Sequence, residues 1–171
     1  NALADNIVSV MGTYANVLRS GAGLFDAKGE VLPDEFARFV KALNLEEEFP
    51  GIQGMGFAAV VNRSVRDGGT LDAPAGHVET AIRYLLPGDW RNQRAIGFDM
   101  YGEPTRQVAM ARARDTGDAS LSGKVTLVQE VDADKQAGTL LYVPVYASPG
   151  VPATVEERRR TLRGLPLRGA A

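Results

Sequence analysis

The sequence predicts an α+β fold, because helical patterns come first and short strand patterns with helices between them follow. The opening helix is indicated by apolar residues at alternating spacings of four and three: Leu3, Ile7, Val10, Tyr14 and Val17. Strands are indicated by short apolar runs bounded by Gly, Pro, Asn and Asp. A length of 171 residues, with 44% hydrophobic and 23% charged residues, suits one globular domain of ordinary size.

The apolar stripe of the first helix has two interpretations. Packing on the helix's own domain is favoured, but the same spacing suits the seam of a two-helix coiled coil with a second copy of the chain. The two interpretations are compatible if the helix is longer than the core it covers. We expect a homodimer through this N-terminal helix. Gly21 and Gly23 are expected to end or bend it.

Three further helices are predicted from start and stop signals. Pro33 opens the first of them, whose apolar face consists of Phe36, Phe39, Val40 and Leu43. Pro104 suits the first turn of the next helix and Gly117 suits its C-terminal exit. Residues 154–157, TVEE, have the form of a capping box and start a helix that reaches Leu162.

The predicted strands lie in the second and third quarters of the chain and beyond. They cover Phe57–Val61, Ala81–Leu86, Gln93–Met100, about 121–129 and 138–146. Residues 62–79 are polar and rich in Gly, Asp and Pro, so they are predicted to form a loop.

Two glycine-rich segments match phosphate-binding motifs only superficially. In residues 54–59, GMGFAA, the glycines precede a strand-like run, whereas a dinucleotide fingerprint must follow a strand and open a helix. Residues 117–125, GDASLSGKV, have one residue too many between the glycines, and Val125 stands where the magnesium-binding Ser or Thr belongs. Neither segment is predicted to bind a nucleotide.

Composition excludes several classes of function. The net charge is −2 and basic residues are spread along the chain, which argues against a nucleic-acid binder. Cysteine is absent, so disulfides, thiolate catalysis and Cys-ligated metals are excluded. His77 is the only histidine, which leaves no ligand set for a zinc site and no partner for a catalytic triad. No metal, cofactor or catalytic residue is therefore expected. The basic cluster at residues 158–160 favours a solvated helix face, with an anionic membrane surface as the alternative.

The sequence has no run of the roughly 20 apolar residues that a membrane span needs, and no visible signal peptide. Its helical pattern is already in phase at Leu3. We therefore interpret the chain as a fragment of a longer protein, whose membrane spans, if it has any, lie outside this sequence.

Asp99 is the most notable single carboxylate. It follows the short apolar run at residues 95–98 and precedes Met100 and Tyr101, so we expect it at the edge of apolar surroundings. One interpretation makes it a cap or turn residue just before Gly102. The other makes it a hydrogen-bond acceptor for a ligand N–H in a largely apolar pocket, where a lone carboxylate would need such a partner.

Several short segments resemble one known family in the right order along almost the whole chain. The segments are 21–25, 49–54, 84–87, 89–94, 95–130, 138–146 and 154–159. They resemble the CHASE domain, an extracytoplasmic sensor found in histidine kinases and nucleotide cyclases. Two departures stand out: the segment between Val61 and Thr80 is short, and the tail at residues 162–169 lacks the family's usual aromatic-rich strand.

The resemblance implies a fold more specific than α+β. It implies a long N-terminal helix followed by two PAS-like lobes with antiparallel sheets. We expect N-terminal helices over residues 1–50, a distal lobe over about 51–130 and a proximal lobe over about 131–171, all within one sensor domain.

The resemblance also implies a binding site. In the plant cytokinin receptors, which share this domain, an aspartate accepts hydrogen bonds from an adenine-type ligand and a leucine contributes main-chain contacts. Those positions match Asp99 and Leu121. The expected pocket-wall residues are Met100, Tyr101, Thr126, Leu141 and Tyr84.

We accordingly expect a non-catalytic ligand-sensing domain on the periplasmic or extracellular side of an inner-membrane receptor, with a cytoplasmic kinase or cyclase as output. The expected ligand is small and partly apolar, such as an adenine derivative or cytokinin. The alternative is a module for dimerisation or partner binding without a small-molecule ligand.

Overall fold

The structure is a computed structural model that describes residues 1–49, 52, 54–61, 78–126 and 137–170. Its helices are α1 (Ala2–Lys28), α2 (Pro33–Ala42), α3 (Leu45–Glu48), α4 (Trp90–Gln93), α5 (Pro104–Thr116) and α6 (Val155–Thr161). Its strands are β1 (Gly54–Val61), β2 (Glu79–Leu86), β3 (Ser120–Leu121), β4 (Val125–Thr126), β5 (Ala137–Tyr142), β6 (Val145–Tyr146) and β7 (Leu162–Ala170). The α+β prediction is confirmed.

The strands form a curled antiparallel sheet in the order β2-β1-β7-β5-β3, with β4 paired to β5 and β6 paired to β7. One face of the sheet packs against α1 and α2, and the other packs against α5. The alternation of a strand explains this division, since Met55 and Phe57 face α1 while Ala58 faces α5. Two PAS-like lobes are not confirmed, because strands from both predicted lobes pair side by side in this sheet.

The first helix is longer than expected, and its glycines do not end it. It continues through Gly21 and Gly23 to Lys28. A Cβ added at Gly21 would lie 2.8 Å from Met55 Cε, so this glycine lets the helix approach the sheet closely. The apolar stripe divides accordingly: Val17 is buried on the sheet, whereas the first ten residues are exposed.

The tail of the chain is the central strand. We expected a missing strand at residues 162–169, but β7 lies between β1 and β5. Its proline is tolerated because the Pro166 carbonyl accepts a hydrogen bond from Val143 N (3.1 Å) at the break between β5 and β6. The N–H and C=O of one strand residue point to the same side. The N–H that Pro166 lacks would therefore also point to this break, where no strand residue needs a donor.

The strand predicted at Gln93–Met100 is wrong. The segment begins in α4, whose first turn is capped by Asp89 Oδ1, which accepts a hydrogen bond from Asn92 N at 2.8 Å. Gly97 then adopts φ = 85°, a turn conformation that breaks an extended run. The turn still covers the edge of β2, since Gly97 N donates to Ile82 O at 2.9 Å.

The helices predicted from Pro33, Pro104 and the capping box are confirmed. Gly117 follows α5 with φ = 77°, and Thr154 Oγ1 accepts a hydrogen bond from Glu157 N at 3.2 Å. The loop predicted at 62–79 lies outside the described residues except at its end, where Glu79 begins β2.

Candidate functional site

The candidate site is the turn that carries Asp99 and covers the outer edge of β2. Asp99 Oδ1 accepts three hydrogen bonds, from Thr80 N (3.0 Å), Thr80 Oγ1 (3.0 Å) and Tyr101 N (3.1 Å). Thr80 Oγ1 also accepts a hydrogen bond from Tyr101 N at 3.2 Å. These contacts hold the carboxylate in one orientation against β2 and close the turn, as the cap interpretation expects.

The second carboxylate oxygen of Asp99 differs from the first. Among the residues that the structure describes, no donor reaches Asp99 Oδ2. A Cβ added at Gly102 would lie 3.0 Å from this oxygen, so the glycine keeps the space beside it open. Asp99 therefore has one oxygen bound by the protein and one that can still accept a hydrogen bond.

The residues after Asp99 extend into the core beneath α5. Met100 and Tyr101 are buried. The Tyr142 hydroxyl donates to Met100 Sδ at 3.5 Å, and burial raises the pKa of Tyr142 above its usual range, so this phenol stays neutral. The Tyr101 hydroxyl accepts a hydrogen bond from Arg114 Nη1 at 3.1 Å.

Two buried arginines of α5 flank the turn. Arg106 donates to Glu103 Oε2 (3.1 Å) and to the Thr126 carbonyl (2.7 Å), and its guanidinium lies 5.5 Å from the centre of the Phe98 ring. Arg106 Nε is buried and has no hydrogen-bond partner among the described residues. The layer under α5 is therefore apolar with a few polar atoms, and these include Arg106 Nε, which lacks a partner among the described residues.

The structure brings only some of the predicted site residues together. Asp99, Met100 and Tyr101 lie on the α5 side of the sheet, whereas Tyr84 and Leu141 pack on the α1–α2 side. The Tyr84 ring stacks against the rings of Phe36 and Phe57, and its hydroxyl donates to the Val31 carbonyl at 2.5 Å.

The two remaining predicted residues lie near the other end of the sheet. Leu121 is opposite Leu141 in the register of β3 and β5, and 41% of its surface is exposed. Thr126 is exposed in β4 and contacts the α5 side through its carbonyl, which binds Arg106. The seven residues therefore occupy two faces of one sheet.

Two surface pockets lie away from Asp99. The larger, of about 370 Å³, lies between α2, α3 and the ends of β1 and β2, and its walls include Val40, Lys41, Glu46 and Leu86. The smaller, of about 260 Å³, lies beside β2 and is lined by Tyr84 and Ile96 among others. Tyr84 thus faces a pocket, but on a part of the surface that Asp99 does not line.

Sequence analysis missed Thr80, Arg106 and Arg114. No local signal marks Thr80, because its bond to Asp99 spans 19 residues. The arginines lie in an Arg-rich stretch that suggests an exposed helix face. Their spacing from Ala109, Met110 and Ala113 was the available signal, because it places both on the buried side of α5.

Within the described ranges, no cluster of His, Asp or Glu could hold a metal ion. His77 lies outside those ranges. No described helix is long and apolar enough to cross a membrane.

Comparison with known families identifies the kind of domain. The CHASE domain family matches residues 29–167, which is most of the chain, and the chain belongs to this family. CHASE domains are non-catalytic, extracytoplasmic sensor domains of receptors. No curated protein matches the chain significantly.

Proposed function

We propose that the domain binds a small molecule at the Asp99 turn and reports it to the receptor of which it is a part. The observation that carries the proposal is that the two oxygens of the Asp99 carboxylate differ in their hydrogen-bond partners. Thr80 and Tyr101 bind Asp99 Oδ1, while Oδ2 has no donor among the described residues. A carboxylate held this way is oriented before the ligand arrives, which lowers the entropic cost of binding.

The chemistry of the turn favours a flat, partly apolar ligand with an N–H donor, such as an adenine derivative or a cytokinin. Asp99 Oδ2 would accept the N–H of such a ligand. Met100 and Tyr101 are buried beside the carboxylate, so its surroundings are largely apolar, as is common next to the polar groups of ligand pockets.

Calorimetry with adenine and isopentenyladenine tests this role. Asp99→Asn keeps an oxygen that accepts from Thr80 and Tyr101, but it places an NH₂ group where Oδ2 was. We expect it to weaken binding by about tenfold or more, because two donors then face each other. Asp118→Asn, an exposed substitution after α5, is the matched control and should bind as the wild type does.

Equal binding of these purines to wild type and Asp99→Asn would contradict the role of Asp99. Absence of binding to the wild type would exclude the adenine class. Asp99→Ala is less informative, because it also removes the bonds that close the turn.

The geometry of the termini supports transmission across a membrane. Gly21 lies beside Pro166, and Tyr14 lies beside Arg168, so α1 and β7 run in opposite directions. The start of α1 and the end of β7 therefore point the same way, as needed if both lead to the membrane of an anchored receptor. A ligand shifts such a receptor only by binding its two signalling states with different affinity. A kinase or cyclase would be the cytoplasmic output.

A second function, dimerisation through α1, is favoured by the exposed half of that helix. Leu3, Ile7 and Val8 expose 68%, 55% and 72% of their surface, and Val10 exposes 40%. Exposed apolar residues at this helical spacing suit a seam between two copies of α1.

Sedimentation velocity tests this second function. We expect Ile7→Glu to raise the dimer dissociation constant by about tenfold or more, because dimerisation would bury an unpaired charge. Val108→Glu, at an exposed valine on α5, is the control and should leave it unchanged. A wild-type chain that stays monomeric at high concentration would contradict the proposal.

A further inference from the structure

The end of α5 joins the Asp99 turn to the last helix and strand through two residues, Arg114 and Asp115. We call this pair the junction. Arg114 is buried although it carries a charge, and both of its ends are bound: Nη1 donates to the Tyr101 hydroxyl (3.1 Å) and Nε donates to Asp115 Oδ1 (2.7 Å). Its guanidinium also lies 6.0 Å from the centre of the Tyr101 ring. The position of Tyr101 is therefore tied to that of the junction.

The junction is also bound to α6. Asp115 accepts hydrogen bonds from Arg159 Nε (3.1 Å) and Arg159 Nη2 (2.7 Å). The Asp115 carbonyl accepts a third from Arg158 Nη1 at 2.8 Å. The Arg159 and Arg114 guanidinium groups lower the pKa of Asp115 to about 2, so the carboxylate stays charged in the folded domain.

The junction also contacts the sheet where β7 begins. The Tyr146 hydroxyl donates to the Arg114 carbonyl at 2.6 Å. Tyr146 lies in β6 opposite Leu162, the first residue of β7. Because α6 ends at Thr161 and β7 starts at the next residue, no flexible loop separates the helix from the central strand.

We propose that Arg114 and Asp115 are positioning residues that couple the Asp99 turn to α6 and, through it, to β7. The inference rests on the sensing role proposed for Asp99, and it names the route by which that site would move the outgoing strand. A shift of the turn displaces Tyr101, which displaces the Arg114 guanidinium, and Asp115 then carries the shift to Arg159. Each link is a direct hydrogen bond or ion pair between two of these side chains.

Amide hydrogen exchange of the whole chain without ligand tests the coupling separately from ligand binding. Tyr101→Phe removes the first link, and Arg159→Met removes the last. Coupling between two sites is reciprocal. We expect Tyr101→Phe to speed exchange at the amides of Ala147 and Arg158 by about threefold or more, and Arg159→Met to do so at the amides of Thr80 and Tyr101.

Two references make this result decisive. Arg160→Met, at an exposed neighbour on α6, should leave the Asp99 turn unchanged. The amides of α2, on the opposite face of the sheet, should exchange at the wild-type rate in every variant. Effects confined to the mutated end, or acceleration of α2 to the same extent, would overturn the coupling. Failure of adenine to bind would instead count against the proposed ligand and leave this exchange result standing.

Discussion

The two faces of the sheet differ in how they are held together. The α1–α2 face is packed by aromatic rings: Phe25 and Phe57 stack with centres 4.1 Å apart, and Phe36 and Tyr84 stack at 5.1 Å. The α5 face combines apolar side chains with a buried polar network that includes Arg106, Arg114 and Tyr146.

This difference matters because the two kinds of packing respond differently to a ligand. The attraction between stacked rings weakens gradually as the rings move, and it does not require a single orientation. Buried hydrogen bonds have narrow geometry, so a small displacement at one end must be followed at the other or leave a polar group unpaired. The α1–α2 face is suited to hold the domain together, and the α5 face is suited to transmit a shift.

The largest effect is expected from the aromatic face. Phe36 is fully buried between α2 and the sheet, so Phe36→Ala should lower the free energy of unfolding by about 3–5 kcal/mol. Urea denaturation measures this loss. Phe36→Leu keeps most of the side-chain volume and should lower the free energy of unfolding much less. A loss below about 1 kcal/mol in Phe36→Ala would show that this face does not carry the stability we assign to it.

A smaller effect is expected when one hydroxyl is removed on each face. Tyr146→Phe removes the partner of the Arg114 carbonyl at a buried site, and we expect a loss of about 1–2 kcal/mol in the free energy of unfolding. Tyr84→Phe removes the partner of the Val31 carbonyl at a half-buried site, where water can replace it, and should cost about 0.5 kcal/mol. Equal losses in denaturation would remove the distinction between the faces.

The last effect, expected to be smaller than that of Tyr146→Phe, comes from acid. The pKa of Asp115 lies at about 2 in the folded chain, below its usual 3.8, so the unfolded chain takes up the proton first as the pH falls. The stability that Asp115 contributes is therefore full above about pH 4 and is lost as the pH approaches 2. Because Arg159 is largely exposed, we expect the charge of Asp115 to contribute about 1 kcal/mol to the free energy of unfolding.

Urea denaturation between pH 2 and pH 5 measures this contribution as the difference between wild type and Asp115→Asn. Asp34→Asn is the control, because the ion pair of Asp34 with Arg38 is exposed at both ends. A difference for Asp115→Asn that is the same at pH 2 and pH 5 would show that the carboxylate charge does not stabilise the α5–α6 contact.

Elements with local signals were predictable. The proline at the start of α5, the glycine after it and the Thr154 capping box each act within a few residues, so the sequence alone locates these helix ends. The segment at residues 93–100 was not predictable in the same way. Its apolar residues suggest a strand, but Asp89 caps a helical turn and Gly97 reverses the chain. The position of β7 at the centre of the sheet depends on pairing with β1, more than 100 residues earlier.

The candidate site was predictable only in part. Asp99 stands out in the sequence as a carboxylate beside an apolar run, and both interpretations of it were open there. The tertiary structure supplies the donors that bind Oδ1, because Thr80 comes from a different strand. It also decides the face on which each wall residue lies, and it separates Tyr84 from Tyr101.

The sequence by itself determined the family of this protein, its α+β class, the long amphipathic α1 and the prominence of Asp99, because these depend on composition, periodicity and short motifs. Only the tertiary structure decided that α1 continues past Gly21, that β7 is central and that Arg114 is buried between Tyr101 and Asp115. The physical reason is the range of the interactions: caps and helical stripes act over a few residues, whereas strand order and buried polar contacts join residues that are distant in the chain.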